Sequence, residues 1–353
     1  MSTIDGGSGG IAVLDEPVAP EPAPEEGKKR KKLLIWLGVI LALLLLVLAL
    51  LAWYLITRKP LNQLPILGSE AMPTYQYSIY GVDKPLGVAV SADGNRIYVT
   101  QSGGKRTTLM FDHDGNLLKT LAVPKVAKGT PDPGHLPVYV AVDPTNGDVV
   151  VSDQVAKAIY VYNAEGDYQR TVKPVDNKGT WTPLGVTFTP DGNLVVTEVG
   201  GKAHRVLVLD QFDKVIRTVV PTDAPLSFPN GVAVDNAGNL FVADSNNGRL
   251  LTFSPDGNVV GGANRGIGEG DLGLPRGVAT DTGDRVYVVD TTNQGVRVYK
   301  LNNDGSNKLA FLGAFGDEGI ADGLFEYPNG VATDSRSDIY VTDRENGRVQ
   351  VWS

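Results

Sequence analysis

No cysteine occurs in the chain. Its absence removes disulfides, thiolate metal sites and cysteine nucleophiles from consideration, and it is compatible with an oxidising exterior without fixing the compartment. Histidine is almost as scarce: His113, His135 and His204 are the only three. Residues so dispersed do not make a zinc cluster or a Ser-His-Asp triad. Charge of one sign is also missing in stretches. Residues 1–27 carry six acids and no base, and residues 28–59 carry seven bases and no acid. The remainder has a net charge of −9, which argues against binding to a phosphate backbone. Beyond residue 59 no stretch has the period of a long amphipathic helix.

One long apolar run is present. Leu33 to Ile56 is 24 residues without charge, LLIWLGVILALLLLVLALLAWYLI. At about 1.5 Å per residue it is long enough for a hydrocarbon core of about 30 Å. Trp36, Trp53 and Tyr54 sit near its ends, where aromatic belts lie. A signal peptide is the competing reading, but its apolar region is usually only about 7–15 residues. Lys28, Lys29, Arg30, Lys31 and Lys32 precede the run, and only Arg58 and Lys59 follow it closely. The positive-inside rule therefore predicts a cytoplasmic N-terminus and an extracytoplasmic remainder. The expected organisation is a disordered acidic, Pro-rich cytoplasmic tail with a basic stop (1–32), a transmembrane helix (33–56), a linker stiffened by Pro60, Pro65 and Pro73 (57–73) and a repeat domain (74–353).

The repeat dominates that domain. Pro-x-Gly-Val-Ala-Val or a near variant begins at Pro85, Pro137, Pro183, Pro229, Pro275 and Pro328, at steps of 52, 46, 46, 46 and 53 residues. A turn such as SADGN or TPDGN follows each phrase, then a second β-branched run. In the fourth copy the runs are GVAVD, NLFVAD, RLLTFS and NVVGGA, separated by turn signals. Four strands per unit at this period fit a propeller blade, and six units predict an all-β, six-bladed propeller. The sixth copy ends at VQVWS after its third strand. Upstream of the first copy lies a spare strand, TYQYSIYG. Pairing 74–80 with the last blade would close the ring and leave no open edge.

The pattern Pro-Asn-Gly-Val-Ala-Val followed by Asn-Leu-Phe-Val-Ala-Asp-Ser-Asn-Asn-Gly-Arg resembles the NHL repeat. It recurs as DRENGRVQVW from Asp343 and more loosely as DTTNQGVRVY from Asp290. The resemblance covers about residues 75–353 and implies a TolB-like propeller fold. With one N-terminal span the chain resembles bacterial membrane-anchored NHL proteins. It is also similar to the external sensor domains of receptor-type kinases, without the kinase.

Blade strands alternate in direction. The 4→1 and 2→3 connections therefore share one face and the tight 1→2 and 3→4 turns the other. The first face has the long loops, 122–136, 173–182 and 316–327, and long loops on a rigid scaffold commonly bind. Strand 74–80 is a fourth strand, so the linker is expected to arrive on the tight-turn face, with the long-loop face pointing away from the membrane. The residues after the repeat prolines, Leu86, Val138, Leu184, Asn230, Arg276 and Asn329, open the innermost strands near the axis. Asn230 and Asn329 suggest an axial calcium, since gluconolactonase-type lactonases resemble this chain in placing such an Asn on calcium. A carboxylate is lacking, however, and Arg276 lies between the two amides. Arg276 would instead hold an anionic ligand, and a water-filled channel is the plain alternative. A second ring, Gln101, Asp153, Glu198, Asp244, Asp290 and Asp343, reads as repeated acceptors that hold the 2→3 loops.

Tyr139, which replaces the repeat glycine, Trp181 and His135 complete the residues nominated for ligand binding with Asn230, Arg276 and Asn329. Trp181, Phe228, Phe325 and Tyr327 are equally consistent with packing between blades. Streptogramin-lyase-like propellers are a further similarity, but no acid–base pair matches them. The expectation is an extracytoplasmic binding or scaffold module, without a catalytic or metal centre, for a protein, peptide or envelope glycan. A lactonase- or lyase-like enzyme with an axial divalent metal is the competing class.

Overall fold

The computed structural model describes residues 26–57, 72–124, 134–175, 177, 180–302 and 309–353. Most of the acidic tail, nearly all of the 57–73 linker and the greater part of the 122–136 loop lie outside these residues. The chain divides into two compact units, residues 1–69 and 70–353. The described residues of the first form one helix, α1 (Glu26–Thr57). From Arg30 to Ala49 it is exposed throughout, and this stretch is long and apolar enough to cross a membrane; an N-terminal signal sequence has the same character.

The second unit is a ring of six four-stranded antiparallel sheets. β1 (Tyr75–Ile79) comes first in the chain. Blade 1 is then β2 (Pro85–Val90), β3 (Arg96–Gln101), β4 (Thr108–Asp112) and β5 (Leu117–Leu121). Blade 2 is β6 (Pro137–Val142), β7 (Val149–Asp153), β8 (Ala158–Tyr162) and β9 (Tyr168–Thr171). Blade 3 is β10 (Pro183–Phe188), β11 (Leu194–Glu198), β12 (Arg205–Leu209) and β13 (Val215–Val219). Blade 4 is β14 (Pro229–Val234), β15 (Leu240–Asp244), β16 (Arg249–Phe253) and β17 (Val259–Ala263). Blade 5 is β18 (Pro275–Thr280), β19 (Arg285–Asp290), β20 (Gly295–Leu301) and β21 (Leu309–Phe315). Blade 6 is β22 (Pro328–Thr333), β23 (Ile339–Asp343) and β24 (Arg348–Trp352).

β1 supplies the fourth strand of blade 6, as the spare strand predicted. It runs antiparallel to β24 with Tyr75 opposite Trp352 and Ile79 opposite Val349. Two backbone hydrogen bonds, Thr74 N to Ser353 O at 2.8 Å and Ser353 N to Thr74 O at 3.0 Å, fasten the start of the ring to its end. Both lie on the tight-turn face. Trp352 seals the joint, edge-on to Tyr75 at 6.0 Å and stacked on Phe325 at 5.6 Å.

The apolar core is distributed between blades. Each of the six blade interfaces has its own buried cluster, such as Leu250, Val286, Val288 and Tyr299 between blades 4 and 5, or Ile79, Val99, Phe111 and Val351 between blades 6 and 1. Alternation along each strand produces this arrangement, because a blade in a ring is covered on both faces.

The innermost strands approach so closely that the repeat glycine is a steric requirement. A Cβ on Gly185 would lie 1.9 Å from the carbonyl oxygen of Asn230, and one on Gly277 would lie 2.7 Å from that of Asn329. Hydroxyls tie the same strands together. Thr100, Ser152, Thr197 and Thr342, each just before the ring acceptor, donate to the carbonyls of Val138, Leu184, Asn230 and Leu86 of the next blade at 2.6–3.0 Å. Blades 4 and 5 have Ala243 and Val289 at that position. There the hydroxyl comes two residues later: Ser245 donates to Pro275 O at 2.5 Å and Thr291 to Pro328 O at 2.7 Å. Six inter-blade bonds thus survive a change of donor position, each worth about 1 kcal/mol net when buried.

Candidate functional site: the axis and the long-loop face

The predicted ring of acceptors does hold the loops. Asp244 accepts from Ser227 N at 2.6 Å, Asn247 Nδ2 at 2.8 Å and Arg249 Nε at 2.7 Å. Asp343 accepts from Glu326 N at 2.7 Å, Asn346 Nδ2 at 2.9 Å, Arg348 Nε at 2.8 Å and Gln350 Nε2 at 2.9 Å. Glu198 takes Thr182 N and Arg205, Asp290 takes Gly273 N and Leu274 N, and Gln101 takes Asp83 N. Each side chain thereby joins its 2→3 loop to the segment just before the repeat proline. A carboxylate suits this task because it offers about four acceptor sites, and the charge-assisted bonds to arginine are the stronger kind.

His135 belongs to this clamp. Its Nδ1 lies 2.9 Å from Asp153 Oδ2, and its ring is 6.1 Å from Tyr160. Trp181 packs on the cluster between blades 2 and 3, beside Leu136 and Phe228. Phe325 is fully buried, whereas Tyr327 is about half exposed. The packing role therefore describes Trp181, Phe228 and Phe325.

The other four nominated residues meet at the axis. Asn230 is buried; its Nδ2 donates to Phe228 O and to Ser245 Oγ at 2.7 Å. Its Oδ1 accepts from Arg276 Nη1 at 3.1 Å. The residues therefore do not fit the calcium weighed from the sequence. The guanidinium takes the amide oxygen the ion would need and places a positive charge beside it, where a hard cation requires oxygens with negative charge. Asn329 is buried on the other side of Arg276, and its Oδ1 has no hydrogen-bond partner; neither do Arg276 Nε and Tyr139 Oη. Tyr139 is 7% exposed. Burial pushes its hydroxyl well above the ordinary tyrosine value, and the Arg276 guanidinium pulls in the opposite direction.

Tyr139 also marks the inner end of a larger feature. An axial cavity of about 450 Å³ opens toward the tight-turn face and is walled by all six innermost strands, with Val90, Val142, Phe188, Val234, Thr280 and Thr333 toward its mouth. The Asn230, Arg276 and Asn329 layer lies beyond Tyr139, toward the long-loop face. An axial channel is one of the readings the sequence leaves open, and the repeated Val-Ala-Val phrase supplies the wall of this cavity.

On the long-loop face, two successive 4→1 loops share one geometry. Parallel bridges Arg265–Leu272 and Glu318–Phe325 close them, with Leu272 and Phe325 buried beneath. Ile267 and Ile320 occupy the same position in each loop and project fully into solvent, at 106% and 79% exposure. The sequence places 316–327 among the long loops of this face without singling out either isoleucine. The signal was an isoleucine between glycine-rich neighbours at the same place in both copies.

The comparisons with known proteins agree with this architecture. The NHL repeat profile matches residues 226–253 and 325–352, which are in blade 4 and in the closing blade with their preceding loops. "Protein brain tumor" of Drosophila melanogaster is 27% identical over 127 residues, 35% of this chain but only 12% of that protein. Among solved structures, a streptogramin B lyase superposes with a TM-score of 0.53 at 14% identity, covering 81% of this chain and 99% of that one. The nidogen/laminin complex contains a chain with a TM-score of 0.50 at 18% identity, covering 66% of this chain and 84% of that one. At these identities the likeness is one of fold. The chain carries NHL repeats and folds as an all-β, six-bladed propeller, with one apolar helix ahead of it.

Proposed function

We propose that the propeller is a membrane-anchored, extracytoplasmic scaffold that docks a protein partner on its long-loop face. The observation that carries this reading is the pair Ile267 and Ile320, two exposed isoleucines on bridge-closed loops of neighbouring blades. An isoleucine at full exposure has no role in folding, and burial against a partner is worth about 1.5–3 kcal/mol per side chain. Glu269, Asp317, Glu318 and Glu326 lie on the same loops, so the partner surface would be apolar with basic flanks. The nidogen/laminin complex supports a binding role for such a propeller by analogy of fold alone. Anchoring rests on the apolar run and on the basic residues Lys28 to Lys32 before it.

The test is crosslinking of the full chain in intact cells, with wild type compared against the Ile267→Asp, Ile320→Asp double variant. Both positions are exposed, so the melting temperature should stay within about 2 °C. The expected result is one captured protein that disappears in the double variant. Equal capture by both chains would refute this surface. An enzyme of the lactonase type is disfavoured because Arg276 occupies the Asn230 oxygen.

A further inference from the structure

Two hollows on the tight-turn face run into one another. The axial cavity of about 450 Å³ shares Pro190 and Asn236 with a groove of about 500 Å³ between blades 3 and 4. Beyond these two residues the groove is lined by Val208, Ile216, Pro255 and Arg217. Together they make one track from the outer strand of blade 3 to the axis. Its axial end is closed. Tyr139, in place of the repeat glycine, lines the inner end of the cavity, and none of Leu86, Val138, Leu184, Asn230, Arg276 and Asn329, one step further in, lines it.

Shape and charge decide what can enter. From Val88 to Ala92 the wall is four residues deep, about 13 Å at about 3.3 Å per residue, so a volume of about 450 Å³ gives a mean cross-section of about 35 Å². A side chain is too short to fill that depth. A peptide loop would lay two strands abreast, each about 4.8 by 10 Å, and is too wide. A free peptide terminus is charged, and the cavity offers it no partner. Asp281 and Asp334 are the only charged residues that line it. Both are buried and already paired, Asp281 with Arg285 and the Tyr287 hydroxyl, Asp334 with Arg336 and the Tyr340 hydroxyl. An unpaired charge is costly to bury, so the inserted end of a ligand is uncharged, apolar and slender.

The groove has the opposite character. Arg217 has no carboxylate partner among the described residues, and Nη1 donates to a neutral carbonyl, Pro255 O. At the same strand position Lys119 pairs with Asp167 and Arg170 with Asp213. Asp191 lines the groove but accepts from Asn193, and its charge disfavours a dianion near Arg217. We infer that the track binds a single-chain acyl amphiphile with a singly charged anionic head, a fatty acid or an N-acyl amino acid. The methylene chain fills the axial cavity and crosses Pro190 and Asn236, and the carboxylate meets Arg217.

This site is on the face opposite Ile267 and Ile320, so its failure and that of the partner surface are separable. The full chain in lipid nanodiscs is photolabelled with dodecanoate carrying a diazirine at its terminal carbon, and labelled residues are mapped by mass spectrometry. The expected result is saturable labelling within residues 88–92, 139–142, 186–190 and 231–236. Unlabelled dodecanoate should suppress it more strongly than dodecylammonium. Arg217→Gln should raise the half-saturating concentration about two- to fivefold, the range for a partly exposed ion pair. Ala92 and Thr282 are exposed at the mouth. The Ala92→Trp, Thr282→Trp double variant should therefore block labelling while melting within about 2 °C of wild type. Labelling confined to α1 or spread evenly over the outer strands would overturn the inference. So would labelling unchanged in the folded tryptophan variant, or equal suppression by the two amphiphiles. That last comparison uses wild type alone and decides the matter if the variant fails to fold.

Discussion

Replacing Asp343 with alanine tests how the long-loop face is held. The carboxylate is fully buried and accepts four hydrogen bonds, from Glu326 N, Asn346, Arg348 and Gln350. Its removal leaves Arg348, itself 4% exposed, facing a void on its Nε side. Breaking a buried pair by removing one partner typically costs about 3–5 kcal/mol, because the remaining charge is uncompensated. Arg348 keeps its contacts with Asp322 at 2.9 Å and with the carbonyls of Ala321 and Leu324. The lower part of that range, about 3 kcal/mol, is therefore expected. For a domain of this size that corresponds to a fall in melting temperature of about 5–8 °C. The loss should be local as well as global. The segment that Asp343 holds through Glu326 N ends the loop carrying Ile320, so amide exchange should accelerate across residues 316–327 more than across blade 3. Differential scanning calorimetry and hydrogen exchange read the two effects. A double-mutant cycle with Arg348→Met isolates the pair and should give a coupling of about 1–3 kcal/mol. A melting temperature lowered by less than about 2 °C, or a cycle that is additive, would refute the clamp as the main support of this loop.

Other perturbations test the ring. Gly185→Ala should lower stability by about 1–3 kcal/mol through overpacking, since its Cβ would meet the Asn230 carbonyl at 1.9 Å; urea denaturation measures it. Thr197→Val keeps the shape but removes the bond to Asn230 O, and about 1–2 kcal/mol should be lost. Ile79→Ala opens the joint between the closing strand and blade 1, at a cost of about 2–5 kcal/mol; a loss below about 1 kcal/mol would mean that closure by β1 contributes little. Alkaline titration should also destabilise the propeller. Burial raises the hydroxyls of Tyr139, Tyr162, Tyr299 and Tyr340, the last also through Asp334. The native state then keeps protons that the unfolded chain releases above about pH 10, so stability is complete below that value and falls as pH rises beyond it, by up to about 1.4 kcal/mol per pH unit per tyrosine.

The sequence by itself determined the ring. A Pro-x-Gly-Val phrase, a β-branched run and a turn recur at near-constant spacing, and these are local signals that need no knowledge of neighbours. The blade count, the strand order and the closing role of residues 74–80 follow from them, because a truncated sixth copy and a spare first strand have one low-energy solution. The acceptor ring was legible for the same reason, since Asp244/Arg249 and Asp343/Arg348 repeat at fixed separation. Tertiary structure decided which side chains are left over. The sequence placed Arg276 between Asn230 and Asn329, but only the structure shows its guanidinium bonded to the Asn230 oxygen, 46 residues earlier. Trp181, from the sequence equally consistent with ligand contact and with packing, lies against the cluster between blades 2 and 3. Ser245 and Thr291 gave no sign that they replace hydroxyls missing at Ala243 and Val289. Each of these outcomes depends on contact between adjacent blades. A ring sets residues about one repeat apart side by side, so their pairing is fixed by the closure of the circle and leaves no trace in local sequence.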